Sequence, residues 1–311
     1  MNRYALNGLS VDSAMELGKP SLATFADLTL VVGDTAPVPE SVPAGELLAE
    51  FALDGRPIYS AADDGRHFVL RLHELCDFVV EHDLARAECR PADGADPEIL
   101  ALVVRGALSA FVLGLRGEAS LHASAVDWRA DGRAVAFVGN SGSGKSTVAA
   151  LMALGGSPFI TDDLLRLSCN ETAGWVGGCE EVRLRAGAAG LASSVREAWQ
   201  GRESVDGRLA LRPPATTFDS GPLAAVIFPV LVEPGGLVES APVHPMEATL
   251  LMSTFHRLAG WRSEAVLKTH LDAVALIAEN VPVRRLTVPW DPERALDLAR
   301  QVRHEVGAWL G

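Results

Sequence analysis

Basic residues are scarce in this chain: 27 lysines and arginines stand against 40 aspartates and glutamates, a formal net charge of −13. Such a surplus repels a polyanion unless a local basic patch overcomes it. The densest basic stretches, Arg183 with Arg185 and Arg284 with Arg285, are too short to form one, so no nucleic-acid partner is expected. Cysteine is sparse too. Cys76, Cys89, Cys169 and Cys179 show no C-x-x-C spacing, which argues against a zinc cage or a thioredoxin-like site and leaves buried reduced thiols. The opening MNRYALNGLSVDSAMELGKP lacks the apolar core of a secretory signal. Long apolar runs are missing as well. Residues 223–232 and 99–115, the latter interrupted by Arg105, fall short of a membrane span. The expectation is a soluble, cytoplasmic protein without a membrane partner.

Apolar residues, in contrast, are plentiful. They make up 48% of 311 residues, enough for a large core, and the length favours two domains or one large one with an appendage. Up to about residue 97 the chain reads as short alternating segments (Leu28–Val32, 51–53, His67–Leu72, 78–81) broken by Gly, Pro and Asp turns. That pattern predicts a small β-rich N-terminal domain, 1–97, closed by the linker PADGADP at 91–97. A helix over 98–116, apolar nearly all round, opens the second domain, 98–311.

Beyond it strands and helices alternate. Strands are predicted over 120–127, 134–138, 159–161, 164–168, 223–231 and 283–288. Helices are predicted over 145–154, 191–200, 246–259, 264–279 and 292–310. The fold class is therefore α/β, with hairpins that a purely parallel sheet does not require.

The sharpest signal is GNSGSGKST, formed by Gly139, Asn140, Ser141, Gly142, Ser143, Gly144, Lys145, Ser146 and Thr147. It follows the apolar run Ala134–Val138 and opens a helix, the context in which this short pattern becomes specific for a phosphate-binding P-loop. Its glycines let successive N–H groups curl toward phosphate oxygens. Lys145 would reach the β- and γ-phosphates and the Ser146 hydroxyl would ligate Mg²⁺. ATP and Mg²⁺ are the expected cofactors, since no guanine-reading Asn-Lys-x-Asp is present; the chain also lacks an LSGGQ-like signature.

Asp162 and Asp163 follow the strand 159–161, where a P-loop site needs a carboxylate near the metal. One can serve the metal while the other accepts a proton from an attacking hydroxyl. The sequence leaves the division open, with Asp163 favoured on the metal side and Asp162 as base. His122, on the strand upstream, is of a residue type that more often sits hydrogen-bonded in a core than in catalysis.

Residues 121–163, LHASAVDWRADGRAVAFVGNSGSGKSTVAALMALGGSPFITDD, resemble the catalytic core of the HPr kinase/phosphorylase family. They are closer still to its relatives that phosphorylate ribosomally made lasso-type peptides. A Leu-His, the strand–loop–helix and a paired aspartate occur in the same order, and a looser likeness extends over 106–231. The opening YALNGL and the β-rich first part also resemble the variable N-terminal region of these relatives.

The resemblance implies a P-loop kinase core akin to phosphoenolpyruvate carboxykinase. In it His122 stands beside the active site, and Asp162 and Asp163 bind metal and deprotonate the acceptor serine. Glu181, in Glu181-Val182-Arg183, would help to hold metal. It is also compatible with homo-oligomeric assembly. Two departures argue against HPr itself as acceptor and against phosphorylase activity. The loop ends Lys-Ser-Thr where HPr kinases read Lys-Ser-Glu, and Leu184 stands where a glycine-rich stretch begins.

The function expected is transfer of the ATP γ-phosphoryl group to a hydroxyl, the serine of a peptide or small protein. A small-molecule kinase and a nucleotide-dependent regulator with little catalysis are the alternatives.

Overall fold

The computed structural model describes every residue except 170, 171, 196 and 197. The end of the helix expected over 191–200 thus falls partly outside the described residues; its start is a helix at Ala189–Val195. The chain forms two compact units, one of Met1–Ser120 with Arg257–His270, the other of Leu121–His256 with Leu271–Gly311. These divide the chain at other points than the expected 97/98.

The first unit is built on an eight-stranded sheet. Its strands run in the order Asn2–Leu6, Leu9–Ser13, Leu28–Val32, Arg86–Pro91, Cys76–Glu81, His67–Leu72, Arg56–Asp63, Glu46–Leu53. Asn7 and Gly8, at φ 49° and 77°, turn the first hairpin, the pair of left-handed residues that a tight hairpin needs. Parallel pairing is confined to the two neighbours of Leu28–Val32.

The helix Pro97–Leu115 belongs to this unit. The Asp96 side chain caps it by accepting the Glu98 N–H at 2.7 Å. Its turns widen to π-type spacing over Val104–Leu108, where the Ser109 hydroxyl returns to the Val104 carbonyl. Phe111 stacks on Trp261 and meets Phe68 edge-on. The expectation that no apolar stretch reaches membrane length needs correcting. Extended to Pro97 by its cap, this helix is long and apolar enough to cross a bilayer, although 67% of its most apolar window is buried inside the protein, as in a core helix.

The second unit holds the mixed α/β architecture. Its main sheet runs Phe159–Thr161, Ala123–Asp127, Ala134–Val138, Ser220–Val232, Ala173–Val176, Leu165–Cys169. Ala134–Val138 lies parallel to Ser220–Val232, which is in turn parallel to Val283–Pro289. Ala123–Asp127 is antiparallel to both of its neighbours.

Every side chain of Ala134–Val138 is buried, as befits a strand covered on both faces. Phe137, Val148, Leu151, Leu286, Leu298 and Val302 join strands and helices in one apolar core, with Lys145–Leu154 lying against Ala295–Leu310. A separate three-stranded sheet, Val182–Leu184, Leu209–Leu211 and Arg202–Glu203, has no counterpart in the sequence expectations. The strand expected over 120–127 is broken at His122.

Candidate functional site

Residues 139–144 leave the buried strand Ala134–Val138 and lead into the helix Lys145–Leu154. Gly139, Gly142 and Gly144 adopt φ of 155°, 89° and 98°, so the loop can trace this path only with glycine at Gly142 and Gly144. A Cβ on Gly144 would also press on the Leu231 side chain at 2.6 Å. Gly144 stands at the N-cap and supplies no side-chain acceptor. The first-turn N–H groups of this helix therefore lack the partner that a capping residue would give, and they carry the positive end of the helix dipole. The Ser143 hydroxyl is buried and has no hydrogen-bond partner. Polar groups left in this way are what an anion with several acceptor oxygens satisfies.

Lys145 is buried, and its Nζ donates to the Gly139 and Asn140 carbonyls at 2.8 and 2.9 Å. The cation is thereby held on the loop. Ser146 donates from Oγ to Asp162 Oδ1 at 2.8 Å, and the Ser124 hydroxyl donates to the same oxygen at 2.5 Å. Asp162 Oδ2 accepts the Arg183 main-chain N–H at 2.9 Å. Asp162 is thus aimed at the loop serine and held there by three donors.

Asp163 points elsewhere. It adopts φ 76°, a left-handed conformation that costs a non-glycine residue energy and recurs at functional sites. Its side chain is 44% exposed and lies 3.4 Å from His122 Nδ1, which also sits 3.0 Å from the Asp163 carbonyl. The break in the strand at His122 accompanies this contact. The His122 N–H is taken up by the Phe255 carbonyl at 2.8 Å instead of a neighbouring strand. His122, Ser146, Asp162 and Asp163 are brought together.

Glu181 keeps other company. Its buried carboxylate is paired with Arg202 and Arg212, each at 3.3 Å. Arg183 faces Asp206 and the Ser204 hydroxyl on the same small sheet. Arg185 reaches the loop, donating from Nη2 to Ser141 Oγ at 2.7 Å. Among the described residues no cluster of three or more His, Cys, Asp or Glu could by itself cage a metal. The hard oxygens of Ser146 and Asp162 fit magnesium, which keeps most of its waters and takes few protein ligands.

Sequence reasoning missed Ser124, Cys179 and Arg185. Ser124 lies in the quoted Leu-His-Ala-Ser segment and pairs with Phe137, two residues before Gly139. Cys179 receives the Asp162 N–H at 3.2 Å. Burial pushes its thiol up to about 11, so it packs against Asp162 as a neutral group.

No family model matches the chain, and no curated protein does. Among solved structures it is similar to the Hpr(Ser) kinase/phosphatase from Coxiella burnetii. The likeness has 12% identity and a TM-score of 0.30, over 61% of this chain and 88% of that one. At that level it decides neither fold nor activity.

Proposed function

We propose that this protein is a magnesium-dependent kinase that transfers the γ-phosphoryl group of ATP to a hydroxyl, the serine of a peptide or small protein. The single observation behind this reading is Asp162, held against the Ser146 hydroxyl at the foot of a glycine-rich loop, with a second, exposed carboxylate beside it.

The loop N–H groups and Lys145 would hold the phosphates. Ser146 and Asp162 would hold Mg²⁺, which when bound would neutralise charge on the phosphates. This reverses the division favoured from sequence, because Asp162 and not Asp163 faces Ser146. Asp163, exposed and oriented by His122, then takes the proton from the acceptor O–H. The freed oxygen bonds to the γ-phosphorus as the bond to the β–γ bridging oxygen breaks, leaving ADP. Glu181, occupied by Arg202 and Arg212, would keep the small sheet's arginines in order rather than bind metal.

A small-molecule acceptor fits the same pair of carboxylates, so the acceptor class is tested directly. The protein is incubated with Mg²⁺ and γ-labelled ATP, alone, with serine peptides, and with sugars and alcohols. Label on peptide serine that requires Mg²⁺ supports the proposal. Label on a sugar redirects it to a small-molecule kinase, and binding without transfer to any acceptor points to a regulator. ATP is expected to be preferred to GTP, and a thermal-shift comparison of the two magnesium complexes checks this.

A further inference from the structure

We infer that Arg185 is a γ-phosphate-contacting residue supplied by the small sheet, an arginine acting in cis on the bound triphosphate. The inference rests on the kinase reading above and adds a residue to it.

Arg185 follows the strand Val182–Leu184, which lies more than 30 residues along the chain from the loop, yet its guanidinium donates to Ser141 Oγ at 2.7 Å. A Cβ placed on Gly142 would stand 3.8 Å from Arg185 Nη1, so the guanidinium overlies the loop at Ser141 and Gly142. The other arginines on or beside this sheet are answered by carboxylates. Arg183 and Arg208 face Asp206, and Arg202 and Arg212 face Glu181. Arg185 has no carboxylate partner among the described residues; its contact is a neutral hydroxyl on an exposed surface.

Guanidinium offers donors in a planar fork that matches phosphate oxygens, and a serine hydroxyl uses only one of them. Lys145 holds the loop's start through Gly139 and Asn140, while Arg185 stands over the next two residues. Two cations therefore attend one short loop. A γ-phosphate carries charge that a diphosphate lacks, and it leaves as part of the product. A donor aimed there distinguishes ATP from ADP and counters the charge that builds up during transfer.

The test compares Arg185→Ala and Arg185→Lys with the parent by calorimetric titration of Mg·ATP and Mg·ADP, with turnover measured alongside. Arg208→Ala, beside the same sheet, controls for disturbance of the fold. Losing charge-assisted hydrogen bonds to phosphate should weaken ATP binding by about tenfold or more while ADP affinity stays within about twofold. Arg185→Lys should recover part of the ATP affinity, since it keeps the charge but not the fork. Equal losses for ATP and ADP, or none for either, overturn the role of Arg185 while leaving the loop's phosphate site standing. Failure of the parent protein to bind either nucleotide overturns the kinase reading and this inference with it.

Discussion

The sheet of the first unit and the glycine-rich loop of the second treat charge in opposite ways. In the first, Arg71 lies on a sheet strand and is only 7% exposed. Asp77 on the neighbouring strand accepts from both arms of its guanidinium, at 2.8 and 2.7 Å, and the Ser41 carbonyl accepts a third bond. Charge and hydrogen bonds are closed within the unit. In the second unit Arg185 ends on a hydroxyl, Lys145 is held by main-chain carbonyls, and Asp162 is held by two hydroxyls and an N–H. At each of these contacts the three charges meet neutral groups. A charge satisfied internally serves the fold; a charge held in place by neutral donors and acceptors keeps its field for something that arrives.

The largest effect is expected at Lys145. Lys145→Ala should remove phosphoryl transfer below detection, since it takes away the cation that its Nζ bonds to Gly139 and Asn140 hold on the loop. Transfer at the parental rate, measured with labelled ATP and a working acceptor, would mean that the loop binds no phosphate.

The aspartates sharpen the contrast next. Asp163→Asn should lower turnover by about 10²–10⁴-fold with Mg·ATP affinity retained, as for loss of a general base. Asp162→Asn should lower both, since it removes the charge facing Ser146. Titration of Mg·ATP separates the two. If Asp163→Asn is the variant that loses affinity, the roles assigned from geometry are exchanged.

On the closed side, Arg71→Ala should destabilise the first unit by about 3 kcal/mol, because it leaves Asp77 largely buried without its partner. Chemical denaturation checks this, and affinity for Mg·ATP should not move. A change in affinity without a change in stability would mean that the two regions are not distinct in kind.

How much of this was legible in the sequence depends on how local each signal is. Ala134–Val138, Lys145–Leu154 and Phe159–Thr161 form where their patterns predict, since an unbroken apolar run, a glycine-rich start and a glycine stop are all written in adjacent residues. The helix expected over 246–259 ends at Met252, where Ser253 and Thr254 turn their hydroxyls back onto the Leu250 and Leu251 carbonyls and compete with further turns. The three-stranded sheet escaped because strands of two or three residues have no periodicity to read. With it escaped the reach of Arg185, legible in sequence only as part of a short basic pair. The orientation of the aspartates escaped for another reason. It turns on the left-handed backbone at Asp163, which nothing in the residue itself dictates.

The smallest effect expected belongs to Asp206, the carboxylate that answers Arg183 on the small sheet. Burial works to raise its pKa, but hydrogen bonds from Ser204 and Arg183, with the charges of Arg183 and Arg208, outweigh that and hold it below the ordinary aspartate value. A carboxyl lowered in the folded state binds its proton more weakly there than in the unfolded chain. Its stabilisation is therefore complete above the unfolded value of about 3.9 and is lost as the pH falls through the folded one. With the side chain 29% exposed, the contribution should stay within about 1 kcal/mol, a few degrees in the thermal midpoint. Parent and Asp206→Asn should thus differ by a small, constant amount between pH 5 and 7, and the gap should close as the pH falls through the lowered folded value. A gap that widened on acidification would mean that Asp206 takes up its proton more readily in the folded protein, and that burial rather than the arginines governs this corner of the sheet.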